Sequence, residues 1–170
     1  DWLRKQDDET LKLYFGIAGA DSIINSLMTQ ILANPEDHYI LVAREDDRWV
    51  GTVHIATSGT QVEFGLLVHP LHRGEGVAST MLEEALAWAR NRNYRELFMH
   101  CLTWNRPIRH LCEKHGLEIK NFTDGSEVES RIKLPPRTMV SVGEEYAIKN
   151  RNLYRMILQS QEEMFAGLYK

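Results

Sequence analysis

The sequence has few cysteines, no long apolar run and no basic tract, and each of these absences excludes a class of protein. Only two of the 170 residues are cysteines, Cys101 and Cys112, which is too few for a disulfide-framed secreted domain. No apolar segment reaches the roughly 20 residues of a membrane-spanning helix, and the N-terminus lacks the pattern of a signal peptide. We therefore expect a cytoplasmic protein that keeps its thiols reduced and does not bind a membrane.

The charge of the chain also limits its partners. The formal net charge is −4, and the lysines and arginines are scattered, which argues against a nucleic-acid-binding surface. Seven histidines are present, but no pair has the spacing or the carboxylate partner of a metal site, so we predict no metal. The length suffices for one domain with a sizeable core, and the negative charge slightly favours a cationic partner.

The stretch from Val62 to Ala89 is the most informative part of the sequence. Residues 62–68 are apolar enough for a buried strand, which Pro70 ends because proline cannot donate to a ladder. A helix follows, because its apolar residues recur on one face: Val77, Met81, Leu82, Ala85, Trp88 and Ala89. The two are joined by Arg73-Gly74-Glu75-Gly76. The sequence therefore predicts a strand, a glycine-containing loop and a helix in direct succession.

This junction has the properties of an anion site. The first N–H groups of a helix have no intrahelical partner, and the helix dipole adds partial positive charge there. Gly74 and Gly76 let the backbone approach a ligand closely and adopt positive φ. We therefore predict a pyrophosphate site made mostly of main chain, with Ser79 and Thr80 as further hydroxyl donors and with Arg73 as either a positive charge or a brace.

The loop sequence excludes two common phosphate-binding motifs and resembles a third. Ser79 stands where a Rossmann fingerprint needs its third glycine, and a Walker A loop is excluded by the missing Gly-Lys-Ser/Thr. The pattern Val-x-Pro-x-x-Arg-Gly-x-Gly-Val-Ala resembles the acetyl-CoA-binding motif of the GNAT superfamily of N-acetyltransferases. In that resemblance Arg73, Gly76 and Ala78 fill the defining positions.

A second motif supports the same resemblance. Asn105, followed at a distance by Leu-Cys-Glu-Lys-His-Gly-Leu at residues 111–117, is similar to the family's Asn…Leu-Tyr-x-x-x-Gly-Phe segment. In the family this asparagine contacts the cofactor or caps the helix beside it. Cys112 stands where the family usually has a tyrosine that protonates the leaving thiolate.

The remaining elements complete a predicted order of strands and helices. We expect a short strand at 2–4, helices at 9–15 and from Asp21 to Asn34, strands at 39–43, 49–56 and 96–102, and a helix from Asn105 to Gly116. A hairpin of 117–122 and 128–134 follows, turning at 123–126. The resemblance implies an α/β (α+β) fold with a central mixed, mostly antiparallel sheet, flanked by helices and splayed at its central strands.

The C-terminal part of the chain is an addition to that pattern. We predict one domain at 1–136 and a C-terminal extension at 137–170, with a long helix over 141–170. Its apolar residues recur by four and seven positions: Val142, Tyr146, Leu153, Ile157, Met164 and Leu168. The helix packs either on its own domain or on a partner, which would make the protein a homodimer.

The resemblance also implies which residues bind acetyl-CoA. The central strand of the family separates from its neighbour at a bulge, which would free main-chain groups of Leu67 and Val68 for the pantetheine arm, with the Val68 N–H facing the thioester oxygen. The expected acetyl-CoA-binding residues are Leu67, Val68, His69, Arg73, Gly74, Glu75, Gly76, Val77, Ala78, Ser79 and Asn105.

The candidate catalytic side chains are fewer. Glu63 is the first candidate base, because family members often carry an acid early in the central strand and partial burial raises a carboxyl pKa. His100 and His54 are alternatives, since imidazole titrates near neutral pH. Cys112 either protonates the leaving thiolate or is a small buried helix residue.

These residues lead to two functional hypotheses. The first is an N-acetyltransferase that moves the acetyl group of acetyl-CoA to an amine, on a small molecule or a protein, by direct nucleophilic attack. The second is a catalytically weak acyl-CoA-binding module with the same fold and a regulatory or assembly role. The missing tyrosine motivates this alternative.

Overall fold

A computed structural model describes residues 2–16, 21–121 and 127–151. Within these ranges, six strands form one sheet in the order β1-β2-β3-β4-β6-β5. Their bounds are β1 His38–Glu45, β2 Arg48–Ser58, β3 Gln61–Val68, β4 Glu96–Leu102, β5 Glu118–Asn121 and β6 Glu127–Lys133. Of the strand pairs in this sheet only β3–β4 is parallel, which confirms the predicted mixed, mostly antiparallel sheet.

Helices flank this sheet, as predicted. Their bounds are α1 Asp8–Phe15, α2 Asp21–Ala33, α3 Val77–Asn91 and α4 Arg106–Lys114, and a last helix, α5, covers the described residues 139–151. Local capping explains several boundaries. The Asp7 carboxylate accepts the Thr10 N–H at 2.7 Å at the start of α1, and Gly16, with φ of 79°, ends it.

The predicted first strand is wrong. Leu3–Lys5 forms a short 3-10 helix instead. The indole N–H of Trp2 donates to the Trp49 carbonyl at 3.1 Å, and the two rings lie 6.2 Å apart. An aromatic contact with the β1–β2 hairpin therefore fixes this segment, and it does not pair as a strand.

The core lies between the sheet and the face of α3 and α4. Leu82, Ala85 and Ala89 of α3 are fully buried against the sheet residues Val53 and Leu97. Side chains alternate along a strand, so Gly65 faces away from the side on which Phe64 joins this core. On that opposite face α1 packs so closely that a Cβ at Gly65 would lie 2.6 Å from the Tyr14 hydroxyl oxygen. Glycine at this position is what lets α1 dock on the central strand.

The described part of α5 attaches to the end of α3 through polar contacts. Asn91 Nδ2 donates to the Ser141 carbonyl at 2.9 Å and to Glu145 Oε2 at 2.8 Å. Thr138 and Ser141 cap the helix reciprocally, each accepting the other's main-chain N–H at 3.0 and 2.9 Å. The rest of the predicted long helix, 152–170, and the predicted hairpin turn, 123–126, lie outside the described residues.

Candidate active site

The central strands β3 and β4 separate beyond their first residues. Their ladder contains only the pairs Gln61–Glu96, Val62–Leu97 and Glu63–Phe98, whereas β3 pairs with β2 along its whole length. The predicted splay is therefore present. The expected bulge is not, because the β2–β3 register runs from Gln61 to Val68 without a shift. The strands separate because β3 stays paired with β2 while β4 stays paired with β6.

The gap exposes main-chain groups of alternate β3 residues. The His69 N–H donates to the Val50 carbonyl of β2 at 2.8 Å. Because these groups alternate along a strand, Leu67 also bonds toward β2, and the N–H groups of Leu66 and Val68 point toward the gap. The Leu67 N–H, expected to face the gap, therefore bonds toward β2, and Leu66 presents an N–H to the gap instead. Val68 keeps the position expected of it, with its carbonyl already accepting from Arg73 Nε at 3.2 Å.

The glycine loop stands open at the start of α3. Gly74 and Gly76 have φ of 84° and 87°, and a Cβ on either would meet no atom of the described residues within 4 Å. Gly76 is the N-cap of α3 and supplies no side-chain cap, so the N–H groups of the first turn are not covered by a side chain at that position. An uncapped helix start beside two open glycines fits a diphosphate.

Arg73 braces this loop against α1. Its NH2 donates to the Thr10 hydroxyl at 2.7 Å, and Thr10 in turn donates to the Asp7 carboxylate at 3.0 Å. The N–H of Thr10 and, to a smaller extent, the charge of Arg73 lower the pKa of Asp7. Of the two roles expected for Arg73, these contacts correspond to the brace.

The other predicted loop side chains are held by neighbours. Ser79 Oγ lies 2.7 Å from His115 Nε2 and 3.3 Å from Lys114 Nζ, and Glu75 pairs with His72 at 3.3 Å. The His69 ring accepts the Leu71 N–H at 3.4 Å. Val77 and Ala78 form the first turn of α3. The open surface of the loop is therefore mostly main chain.

Asn105 caps α4. Its Oδ1 accepts the Ile108 N–H at 3.4 Å, and Pro107 occupies the first turn, where a missing N–H is tolerated. This contact corresponds to the capping role among the two that the resemblance implied for Asn105.

A chain of polar side chains runs across the strands beside the gap. His100 Nδ1 lies 3.3 Å from Glu63 Oε1, and His100 Nε2 lies 3.4 Å from Glu129 Oε2. Glu129 also accepts from Arg131 Nε at 2.7 Å, which lowers the pKa of Glu129. Two candidates chosen separately from the sequence thus lie in contact. The sequence analysis missed Glu129, although the predicted closing hairpin offered a signal, because Glu129 pairs directly with His100 in the sheet.

His54 lies elsewhere. Its Nε2 is 2.9 Å from His38 Nδ1. Burial, together with the charge of His38, lowers the pKa of His54 to about 4. It is therefore neutral at physiological pH, and its ring contacts the other imidazole.

Cys112 lies in the core. It is fully buried, its Sγ is 3.4 Å from Met99 Sδ, and burial raises its pKa to about 11. These contacts correspond to the small buried helix residue, one of the two interpretations of Cys112, and they place its thiol away from the open surface of the gap.

Tyr14 is a further residue that the sequence analysis did not identify. Its hydroxyl approaches β3 at Gly65, next to Glu63, and burial together with the charge of Glu63 raises its pKa to about 12. The phenol therefore stays protonated at neutral pH. The only sequence signal for it is the glycine inside a strand, which marks a close approach.

Two negative findings apply to the described residues alone. None of their helices is both long and apolar enough to cross a membrane. No group of three or more histidine, cysteine, aspartate or glutamate side chains among them is arranged to hold a metal ion.

Comparison with known families gives a match over most of the chain. Residues 6–117 match the model of the acetyltransferase (GNAT) family. This range contains the gap, the glycine loop and α4, and it stops before β5. No curated protein matches the chain.

Solved structures share the fold at low sequence identity. The GNAT domain of S. lividans PAT has a TM-score of 0.68 at 22% identity, covering 78% of this chain and 81% of its own. PaiA N-acetyltransferase from Thermoplasma acidophilum, solved with coenzyme A, has a TM-score of 0.62 at 20% identity, and the match covers 78% of this chain and 90% of that one. Ribosomal-protein-alanine N-acetyltransferase from Brucella melitensis has a TM-score of 0.59 at 16% identity, and the match covers 75% of this chain and 89% of that one.

Proposed function

Because the chain belongs to the GNAT family of acetyltransferases, we propose that it moves the acetyl group of acetyl-CoA to an amine by direct attack of the amine on the thioester. The observation that supports this most is the open, uncapped glycine loop at the end of a strand that has separated from its neighbour. The relative solved with coenzyme A has the same fold.

Binding of the donor is assigned to the main chain. The diphosphate lies on the N–H groups that follow Gly76, and the pantetheine arm enters the gap, where Leu66 and Val68 present N–H groups. The Val68 N–H faces the thioester oxygen and stabilises the negative charge that develops there. One such donor, placed in advance, typically lowers a barrier by about 3 kcal/mol.

Proton transfers are assigned to the contacting side chains of Glu63, His100 and Glu129, and to Tyr14. Glu63 accepts the proton that the amine loses, and His100 passes it on toward Glu129 and solvent. Tyr14 donates a proton to the leaving thiolate, in place of the tyrosine that Cys112 replaces. The contacts of Glu63 with His100 and of Tyr14 with β3 support these assignments, and Cys112 has no step in them.

The acceptor is proposed only as a class. An amine is cationic before it loses its proton, and Glu63 and Glu129 supply negative charge beside the gap. A small molecule and a protein N-terminus both satisfy this chemistry, and one relative of the same fold is named for a ribosomal protein's alanine.

The loop assignment is tested by one substitution and a matched control. We expect Gly76→Glu to abolish acetyl-CoA binding in isothermal titration, because bulk and negative charge then occupy the diphosphate site. Gly59 lies in the β2–β3 turn, also has positive φ, and also leaves a Cβ with no described neighbour within 4 Å. Gly59→Glu therefore also places a glutamate at a positive φ in open space, and it should bind acetyl-CoA normally. Equal binding by both variants would show that the loop is not the site.

The competing hypothesis is a catalytically weak module that binds acyl-CoA and regulates or assembles. This hypothesis is distinguished from the enzyme hypothesis by measuring thiol release from acetyl-CoA with a panel of small amines and N-terminal peptides. Turnover with any amine excludes the module, and binding without turnover across the panel favours it.

Two further assignments concern the whole chain. We propose that residues 1–136 form the catalytic unit and that the extension at 137–170 joins two copies through the exposed side of α5. We also propose a reducing, cytoplasmic location, which the two free, buried cysteines support.

A further inference from the structure

A second concave site lies at the opposite end of α3 from the glycine loop. It is a cleft of about 790 Å³, within the range typical of small-molecule sites. One edge is Arg90 near the end of α3, and at 1.5 Å per residue that position lies roughly 21 Å along the helix from Gly76. The cleft is therefore separate from the proposed acetyl-CoA site.

The walls of this cleft are held by main-chain hydrogen bonds. The Arg95 N–H donates to the Thr60 carbonyl at 2.8 Å, and the Leu134 N–H donates to the Arg95 carbonyl at 2.8 Å. On the far side, Arg90 Nε donates to the Pro136 carbonyl at 3.1 Å. These bonds join the ends of β3, β4 and β6 to the segment that leads into α5, so the cleft is formed before any ligand arrives.

Three cations line the cleft without an ion pair to any described residue: Arg95, Lys133 and Arg137. The one carboxylate in the lining, Glu96, is already bound by Arg131 at 2.5 Å and by Gln61 Nε2 at 2.6 Å. The whole chain carries a net charge of −4, so this concentration of positive charge does not follow from its composition.

The chemistry of the lining indicates the ligand. Arginine forks bind phosphate oxygens in pairs, and lysine adds a point charge. Beside the cations lies an apolar wall of Tyr94, Leu134 and Pro135, in which the Tyr94 ring is fixed by stacking on Trp88 at 5.7 Å and 15°. We propose that this cleft binds an organic diphosphate or polyphosphate, with the phosphates on the three cations and the organic group on the apolar wall.

This proposal is independent of acetyl transfer. Lys133 and Arg137 lie beyond the residues that match the family model, whereas Arg95 lies within them, so the cleft is formed only in part by residues outside that match. The cleft also borders Pro136, next to the segment that carries α5, so a bound anion would contact both the sheet and the start of the extension.

The test measures ADP binding by isothermal titration in the Gly76→Glu variant, so that the diphosphate group cannot use the glycine loop. We expect ADP to bind and the triple substitution Arg95→Ala, Lys133→Ala, Arg137→Ala to weaken binding at least tenfold. A control triple, Lys5→Ala, Arg44→Ala, Arg48→Ala, removes the same charge from exposed positions elsewhere and should leave binding unchanged. Inorganic pyrophosphate should bind more weakly than ADP, because it cannot use the apolar wall.

Three results would overturn the proposal: no ADP binding, equal weakening by both triple variants, or equal affinity for ADP and pyrophosphate. Failure of the acetyl-CoA assignment is recognised separately. In that case Gly76→Glu still binds acetyl-CoA, and the comparison of the two triple variants continues to decide whether the cleft binds ADP.

Discussion

The carboxylate of Glu63 contacts His100, and the imidazole of His100 contacts Glu129. In the proposed mechanism, a proton taken up by Glu63 would pass along these contacts, which span three neighbouring strands. The three residues differ in their surroundings. Glu63 lies on the central strand beside the gap, His100 bridges two carboxylates, and Glu129 is itself held by Arg131.

We expect Glu63→Gln to lower kcat by about 10²- to 10⁴-fold, the usual contribution of a general base, because the amide cannot take the proton from the amine. The affinity for acetyl-CoA should not change, since the donor is assigned to the main chain. Glu83→Gln on the exposed side of α3 serves as the control. Steady-state kinetics with saturating acceptor measure the effect, and an unchanged kcat would remove Glu63 from the mechanism.

Some candidate site residues could be predicted from the sequence, and others could not. Glu63, His100 and Asn105 are found from their positions in predicted strands and helices. Glu129 and Tyr14 are not, because their contacts depend on strands and helices that are distant in sequence. Cys112 occupies a position that the motif defines, but only the packing of α4 shows that its thiol lies against Met99.

At the level of elements, one buried carboxylate, Glu145, contributes to the attachment of α5. Burial would raise the pKa of Glu145, but hydrogen bonds from Asn91, Lys149 and Arg92 outweigh it, so the pKa is lowered in the folded state. A lowered folded pKa means that this carboxylate stabilises the attachment fully above its unfolded pKa, about 4.3, and loses that effect as the pH falls through the folded value.

Glu145→Gln should therefore weaken the attachment of α5 at neutral pH. Hydrogen bonds to charged groups are worth about 1.5–3 kcal/mol, so the amide protons of residues 142–151 should exchange at least tenfold faster than in wild type at pH 7. In wild type the same protons should lose protection as the pH falls from the unfolded pKa of Glu145 through its lowered folded pKa, and the variant should show little further change. Glu144→Gln alters a neighbouring exposed carboxylate, 3.8 Å from Arg90, and should exchange like wild type. Equal protection in both variants would contradict the role of Glu145.

Most elements were predictable because their signals are local. Periodic apolar residues mark α3, Asn105 and Pro107 mark the start of α4, and the apolar run of residues 96–102 matches β4. The segment at Leu3–Lys5 was mistaken for a strand because its conformation depends on Trp2 contacting Trp49, a contact 47 residues away. The continuous β2–β3 register was likewise unpredictable, since splaying depends on which neighbour each strand keeps.

On the scale of the whole molecule, charge is unevenly placed. A chain with an overall negative charge gathers Arg95, Lys133 and Arg137 around one cleft. In the sequence Arg95 is distant from Lys133 and Arg137, so no single basic tract contains all three. Only the sheet, which brings the start of β4 beside the end of β6, shows that they share a surface.

In a single copy of the protein, α5 buries polar side chains and exposes apolar ones, which is the opposite of the usual arrangement. A surface helix normally turns its apolar side inward, yet α5 buries Ser141 and Glu145. It exposes Met139, Val140 and Tyr146 by 86%, 70% and 69%. The apolar spacing continues in the sequence at Leu153, Ile157, Met164 and Leu168, which lie outside the described residues. A second copy presents the same exposed side chains of α5, and a two-fold contact makes that surface self-complementary.

We therefore expect light scattering to give about twice the 19.7 kDa of one chain. Met139→Glu combined with Tyr146→Glu should produce a monomer, because charge is then buried in the contact, while the polar attachment of α5 to α3 is left intact. Met28→Glu combined with Leu32→Glu changes two exposed apolar residues of α2 and should leave the dimer unchanged. A wild-type monomer would show instead that the exposed side of α5 is covered by the protein's own chain or by a different partner.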